Sequence, residues 1–213
     1  MGGGGAAVAA GPAVCHHFLW EERPRERKEK ELMGSSGLVR WGAIGLMLGG
    51  VVWLILGLSN VFGYLQAIPG REDVVLLIVA LLLTAAGLVG LHALQRGRQG
   101  LLGQAGLYIA VASLLARALG AGVYLAGSSA LAWISYPWGT IGMLVGFVAY
   151  GVATMRARVL PLWYGLALIV SIPISFPLAA YGTALFGLII GVLGYALWSQ
   201  KDAGTERLST RVK

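Results

Sequence analysis

Long apolar runs recur along the chain from Trp41 to Trp198, separated by short polar segments. Most runs hold about 20 residues, enough for a helix to cross a hydrocarbon layer of about 30 Å. The runs are continuous and do not alternate with a period of two, which favours helices over the strands of a barrel. The pattern predicts an all-α, polytopic membrane protein built as a six-helix bundle. The predicted spans cover residues 41–65, 74–94, 101–122, 132–155, 160–177 and 179–198.

The composition agrees with this pattern, since 57% of the residues are hydrophobic and only 12% are charged. Soluble domains carry about 25% charged residues, so this chain lacks the inventory for a water-facing surface. Residues 33–200 are therefore predicted to form one membrane domain, followed by a cytoplasmic tail at 201–213.

The first 32 residues have a different composition, Gly- and Ala-rich at first and then a run of mixed charge. They are predicted to be a disordered or non-native extension, and one hypothesis is that the native protein starts at Met33. Cys15, His16 and His17 are adjacent metal-ligand types, but three neighbours without a fourth ligand make a weak motif. No metal site and no cofactor is predicted.

The basic residues predict the orientation of the bundle. All of the 16 Lys and Arg residues except Arg71 and Arg117 fall on one side of the six-span arrangement. Cytoplasmic loops are enriched in Lys and Arg, so both termini are predicted to be cytoplasmic and the localisation to be the plasma membrane. The net charge of +7 is explained by this orientation, and the expected partner is the lipid bilayer rather than nucleic acid.

Small residues predict how the helices meet. Gly45 and Gly49, Gly142 and Gly146, and Gly187 and Gly191 each have the four-residue spacing that lets helix backbones approach closely. They predict a tight bundle, with a homo-oligomer or a membrane partner subunit left open. Pro173 and Pro177 interrupt the fifth run, and a simple helix exit is favoured there over a substrate site.

Catalytic constellations are not found in the predicted spans. All nine acidic residues lie outside them, and the serines within them have no histidine or lysine at comparable depth. His92 lies near the cytoplasmic end of the second span and is interpreted as an interface residue. No enzyme activity and no catalytic residue are predicted.

Arg117 is the only charged residue between Leu101 and Met155. A charge inside a membrane span is costly, so it marks a functional or structural site. Counting along the helices places it in the outer leaflet, within reach of the residues that begin the second span. It is predicted to pair with Asp73 or Glu72, or to bond Asn60, with a headgroup contact or an anion substrate as alternatives.

Two segments resemble small bacterial multi-span membrane proteins of unassigned function. They are LVRWGAIGLMLGGVVWLILG, with its Arg-Trp-Gly start, and RARVLPLWYGLALIV, with a Leu-Pro-x-Trp-x-Gly entry to a late helix. The resemblance covers about a fifth of the chain. It implies a bacterial plasma membrane and no particular activity.

Two functions remain open at this point. One is a non-catalytic membrane component that acts through helix–helix contacts with partners. The alternative is a small permease, or a lipid- or solute-binding bundle, with an outward-facing anion site at Arg117. A tightly packed arginine with protein partners would favour the first, and a polar cavity that reaches Arg117 the second.

Overall fold

The computed structural model describes the backbone of residues 24–61, 71–95, 98–128, 130–175 and 178–210. Side chains are described within 37–61, 71–95, 98–128, 135–175, 178 and 181–199. All regular elements in these ranges are helices, as the apolar pattern predicts. They are α1 Pro24–Val61, α2 Arg71–Leu94, α3 Gly100–Leu125, α4 Ala130–Ala157, α5 Leu162–Ser175 and α6 Ala179–Thr210.

Contacts divide the chain at Ser36, and the helices from Gly37 onward belong to one compact unit. Residues 1–23 lie outside the described residues, and residues 24–36 are helical, at the start of α1. That residues 1–32 are a disordered or non-native extension stays a prediction.

Five helices are long and apolar enough to cross a membrane. The exception among the six is α5, which is apolar but has 14 residues, or about 21 Å at 1.5 Å per residue. It is shorter than the predicted span at 160–177 because proline delimits it: Pro161 precedes its first turn, and the helix ends at Ser175, before Pro177. The five long segments are Gly37–Val61, Arg71–Leu94, Gly100–Leu125, Ser135–Ala157 and Tyr181–Ser199.

Glycines bring the first helix against both α2 and α6. A Cβ on Gly42 would collide with the backbone of Gly90 in α2, and one on Gly50 would collide with the backbone of Gly191 in α6. Further along, a Cβ on Gly57 would meet Ala184. Since contacts move backward along α2 and α6 as they move forward along α1, α1 is antiparallel to both.

The remaining neighbours follow the same rule. Gly106 lies against Tyr150 and Gly146 against Ala110, which makes α3 and α4 antiparallel. Gly151 and Gly165 join α4 to α5, and Gly182 brings α6 against the backbone of Ser175. With α2 packed on α3, the six helices form a closed up-and-down ring in chain order. One end of this ring carries Gln95 and the other carries Arg117, and we call them the Gln95 end and the Arg117 end.

The three predicted glycine pairs all lie at contacts inside this ring. Gly45 and Gly49 face Leu83 and Thr84 of α2, whereas Gly142 and Gly146 face α3. Gly187 packs on the α1 backbone near Leu54. In soluble proteins, burial from water drives helix packing. Lipid tails remove that driving force, so helices in a membrane are held together by close backbone approach of this kind.

Candidate functional site

A cavity of about 390 Å³ lies in the bundle toward the Arg117 end. Five of the six helices contribute to its lining, and α2 is the one that contributes no described lining residue. Arg117 is the only charged residue among the lining residues that the structure describes. These are Trp53, Asn60, Arg117, Tyr136, Thr140, Met143, Ile172, Ser175, Thr183 and Phe186.

Glycines on α4 make room for the polar side chains of α3. A Cβ on Gly139 would collide with Cγ of Arg117, and a Cβ on Gly142 would collide with Oγ of Ser113. The aliphatic stem of Arg117 therefore crosses α4 directly over a glycine. This contact fixes where the guanidinium emerges from the helix pair.

The guanidinium of Arg117 is held by an aromatic ring and a thioether. Its Cζ lies 4.9 Å from the centroid of the Tyr136 ring, and Nη1 donates to Sδ of Met143 at 3.6 Å. A cation over an aromatic face is favourable, but neither partner carries a full negative charge. Because guanidinium has five N–H donors and a thioether is a weak acceptor, the described contacts use only a small part of its hydrogen-bonding capacity.

Two of the four residues in the sequence-predicted cluster line the cavity. Asn60 and Arg117 line the same cavity, and the Asn60 amide donates to the carbonyl of Leu56 at 3.0 Å. Glu72 is exposed and Asp73 is half-buried in the first turn of α2, and neither is among the described lining residues. The pairing of Arg117 with either carboxylate stays a prediction.

Two hydroxyls of the lining already donate their protons to the backbone. Thr140 Oγ1 donates to the carbonyl of Tyr136 at 2.6 Å, and Ser175 Oγ donates to the carbonyl of Ser171 at 2.5 Å. A hydroxyl has one proton and two lone pairs. In this arrangement both side chains present acceptor lone pairs to the cavity.

The inner wall of the cavity is aromatic and held in place. Trp53 and Phe186 meet edge to face, with ring centroids 5.3 Å apart, and Phe186 lies 6.0 Å from the ring of Phe147. The indole N–H of Trp53 donates to Thr84 Oγ1 of α2 at 3.1 Å. Trp53 thus both packs between helices and lines the cavity.

A second polar cluster lies at the Gln95 end, and of its members only His92 stood out in the sequence. Nδ1 of His92 is 2.7 Å from Oε1 of Gln99, and Gln99 also donates to Gln95. Gln95 and Tyr150 are fully buried. Gln95 Nε2 has no hydrogen-bond partner among the described residues, and the Tyr150 hydroxyl has none of standard geometry there, although the Gln99 side chain lies beside it. The four-residue spacing of the two glutamines, at a helix junction, was the available signal.

No protein family, curated protein or solved structure matches this chain. The resemblance seen in the first and fifth apolar runs therefore adds nothing beyond a multi-span membrane protein. Function has to follow from the bundle and its cavity.

Proposed function

We propose that this protein is a small permease or solute-binding membrane bundle that takes an anion at Arg117. The observation that carries the proposal is that a cavity lined by five helices contains one described charge, a guanidinium whose contacts are an aromatic ring and a thioether. A cation in a span is costly, the described lining holds no carboxylate beside Arg117, and a bound anion would lower that cost. The cavity volume falls within the range of small-molecule sites.

The cavity suits binding better than catalysis. The hydroxyls of Thr140 and Ser175 donate to backbone carbonyls, and neither has a histidine, lysine or carboxylate beside it among the described lining residues. A hydroxyl needs such a base to act as a nucleophile. We therefore propose no enzymatic activity.

A role as a partner subunit has less support, because the glycine-rich faces are already used. Gly42, Gly50 and Gly146 meet helices of the same chain, so they do not offer smooth surfaces to another protein. Exposed leucines, isoleucines and valines are suited instead to contact with lipid.

We also propose that all six helices cross a bacterial plasma membrane with both termini in the cytoplasm. The support is the antiparallel ring, in which the odd-numbered helices run one way and the even-numbered helices the other, and the Lys and Arg residues that flank the Gln95 end. In this arrangement the Arg117 end and its cavity face the outside. The short α5 then crosses with the help of its flanking segments.

The test is anion-dependent thermal unfolding of the full-length protein in nanodiscs of zwitterionic lipid. Chloride, nitrate, sulfate, phosphate, acetate and benzoate are compared as sodium salts at constant ionic strength. A ligand at ten times its Kd stabilises a protein by about 1.4 kcal/mol. At least one anion should raise the Tm of the wild type.

The matched pair of variants is Arg117→Gln and Arg71→Gln. Arg71 is an exposed arginine at the same end of the bundle, so it controls for general attraction of anions. The anion-dependent shift should disappear in Arg117→Gln and persist in Arg71→Gln. If every anion shifts the wild type and Arg117→Gln equally, the proposal fails.

A further inference from the structure

We infer that the ligand of the Arg117 cavity is a compact organic monoanion that carries a hydrogen-bond donor and an apolar or aromatic body. This inference rests on the proposed anion site and names its substrate class. Three features of the lining carry it: its single charge, the direction of its hydroxyl protons and its aromatic wall.

The first feature is the charge of the lining. Arg117 is the single charged side chain in the described part of the lining, and one guanidinium neutralises one negative charge. A dianion such as sulfate would leave a net charge in a cavity whose described lining has no second charged side chain to balance it. A carboxylate fits instead, since guanidinium binds it through two parallel N–H donors.

The second feature is the direction of the hydroxyl protons. Thr140 and Ser175 turn lone pairs toward the cavity because their protons are donated to Tyr136 and Ser171. Chloride, nitrate and sulfate present only acceptors, so each of these two hydroxyls would have to give up its backbone bond to donate to one. A ligand hydroxyl, amide or ammonium group could donate to either side chain without that change.

The third feature is the aromatic inner wall. Trp53 donates a hydrogen bond to Thr84 and packs edge to face against Phe186. These contacts hold the wall in place, and it offers ring faces and edges to a ligand. Met143 and Ile172 extend the apolar surface beside it. A small inorganic ion would gain no apolar contact from this wall, whereas an aromatic or branched apolar group would pack against it.

The test is isothermal titration of the full-length protein in nanodiscs with five matched probes. They are 3-phenyllactate, 3-phenylpropionate without the hydroxyl, lactate without the ring, 3-phenyllactamide without the charge, and sulfate. The 3-phenyllactate probe should bind best. Loss of the hydroxyl should weaken binding about 3- to 10-fold, and loss of the charge about 10- to 100-fold.

A hydroxyl-deficient cavity supplies the second arm. Thr140→Val with Ser175→Ala should weaken 3-phenyllactate by the same factor as removal of the ligand hydroxyl, and leave 3-phenylpropionate unchanged. The control is Ser199→Ala, since Ser199 donates to the carbonyl of Ala196 at 3.0 Å near the opposite end of the bundle. It should leave both affinities unchanged.

The outcomes separate this inference from the proposed function. Arg117-dependent binding of sulfate in preference to 3-phenyllactate would overturn the inference and keep the anion site. Equal affinity for 3-phenyllactate and 3-phenylpropionate would also overturn it, as would tighter Arg117-dependent binding of oleate, a membrane-derived monoanion. If no probe binds in an Arg117-dependent way, both the inference and the anion site fail.

Discussion

The side chain of Arg117 crosses α4 at Gly139, where even one added carbon would collide with the arginine's Cγ. The glycine thus sets the path of the arginine stem, and the arginine sets the position of the charge in the cavity. The two residues form one structural unit shared by α3 and α4.

Substituting Gly139 should therefore disturb both packing and the site. We expect Gly139→Ala to lower stability by about 1–3 kcal/mol, the usual cost of an extra carbon in a close-packed contact, and to weaken anion binding. Thermal unfolding and titration measure the two effects. The control is Gly122→Ala, where nothing lies within 4 Å of the added carbon, and helix propensity alone predicts a small gain.

The double variant Arg117→Ala with Gly139→Ala isolates the contact. Because alanine at 117 has no Cγ, the cost of Gly139→Ala should largely vanish in that background, as a double-mutant cycle would record. Additive losses would mean that Gly139 is needed for some other contact.

Arg117 could be singled out from the sequence because one charge in a long apolar stretch is visible without any structure. Its level along the helix could also be counted at 1.5 Å per residue. The residues that contact its side chain could not be predicted, because they depend on the rotation of each helix and on the order of helices around the ring. The described contacts of the guanidinium are with Tyr136 and Met143 of α4, and pairing with a carboxylate of α2 stays a prediction.

The glycine contacts were predictable for a different reason. Spacings of four residues mark one face of a helix whatever its partner is, so Gly45, Gly142 and Gly187 were identified from the sequence alone. The cavity could not be predicted from the sequence, because it is the space that remains between five helices once they have packed. The part-buried hydrogen bond between His92 and Gln99 was also missed, because it depends on how α2 and the start of α3 are placed relative to each other.

An exchange of charges separates the pairing predicted from the sequence from the anion site. Arg117→Asp should lower the amount of protein that accumulates, because it puts a carboxylate in the cavity. If Arg117 binds a ligand anion and not a carboxylate of α2, adding Asp73→Arg or Glu72→Arg to Arg117→Asp should not restore accumulation or anion binding. Recovery in either double variant, measured by quantitative immunoblot of membranes, would favour the ion pair.

Removing a buried hydroxyl at the Gln95 end should not harm the fold. Tyr150 is fully buried, and its hydroxyl makes at most a weak contact with the Gln99 side chain among the described residues, so little offsets the cost of removing that hydroxyl from water. We expect Tyr150→Phe to raise stability by about 1 kcal/mol, seen as a higher Tm. Tyr195→Phe is the control, because Tyr195 is 66% exposed. A lower Tm for Tyr150→Phe would mean that a partner satisfies the hydroxyl.

The six-crossing arrangement is testable with reporter fusions. Fusions after Gly70 and Ser129 should report outside, and fusions after Arg98, Arg158 and Lys213 should report inside. The pair at Arg158 and Lys213 tests the short α5 most closely, since a helix that fails to cross would put these two sites on opposite sides. That result would reject the arrangement.

The most direct test of the Arg117 cavity as an anion site is a structure of the protein with 3-(4-bromophenyl)lactate, located by the anomalous signal of bromine. The predicted result is a bromine peak beside Trp53 and Phe186, with the carboxylate on the guanidinium of Arg117. The account is contradicted if the cavity stays without ligand at saturating concentration and the guanidinium lies against a carboxylate of the protein itself.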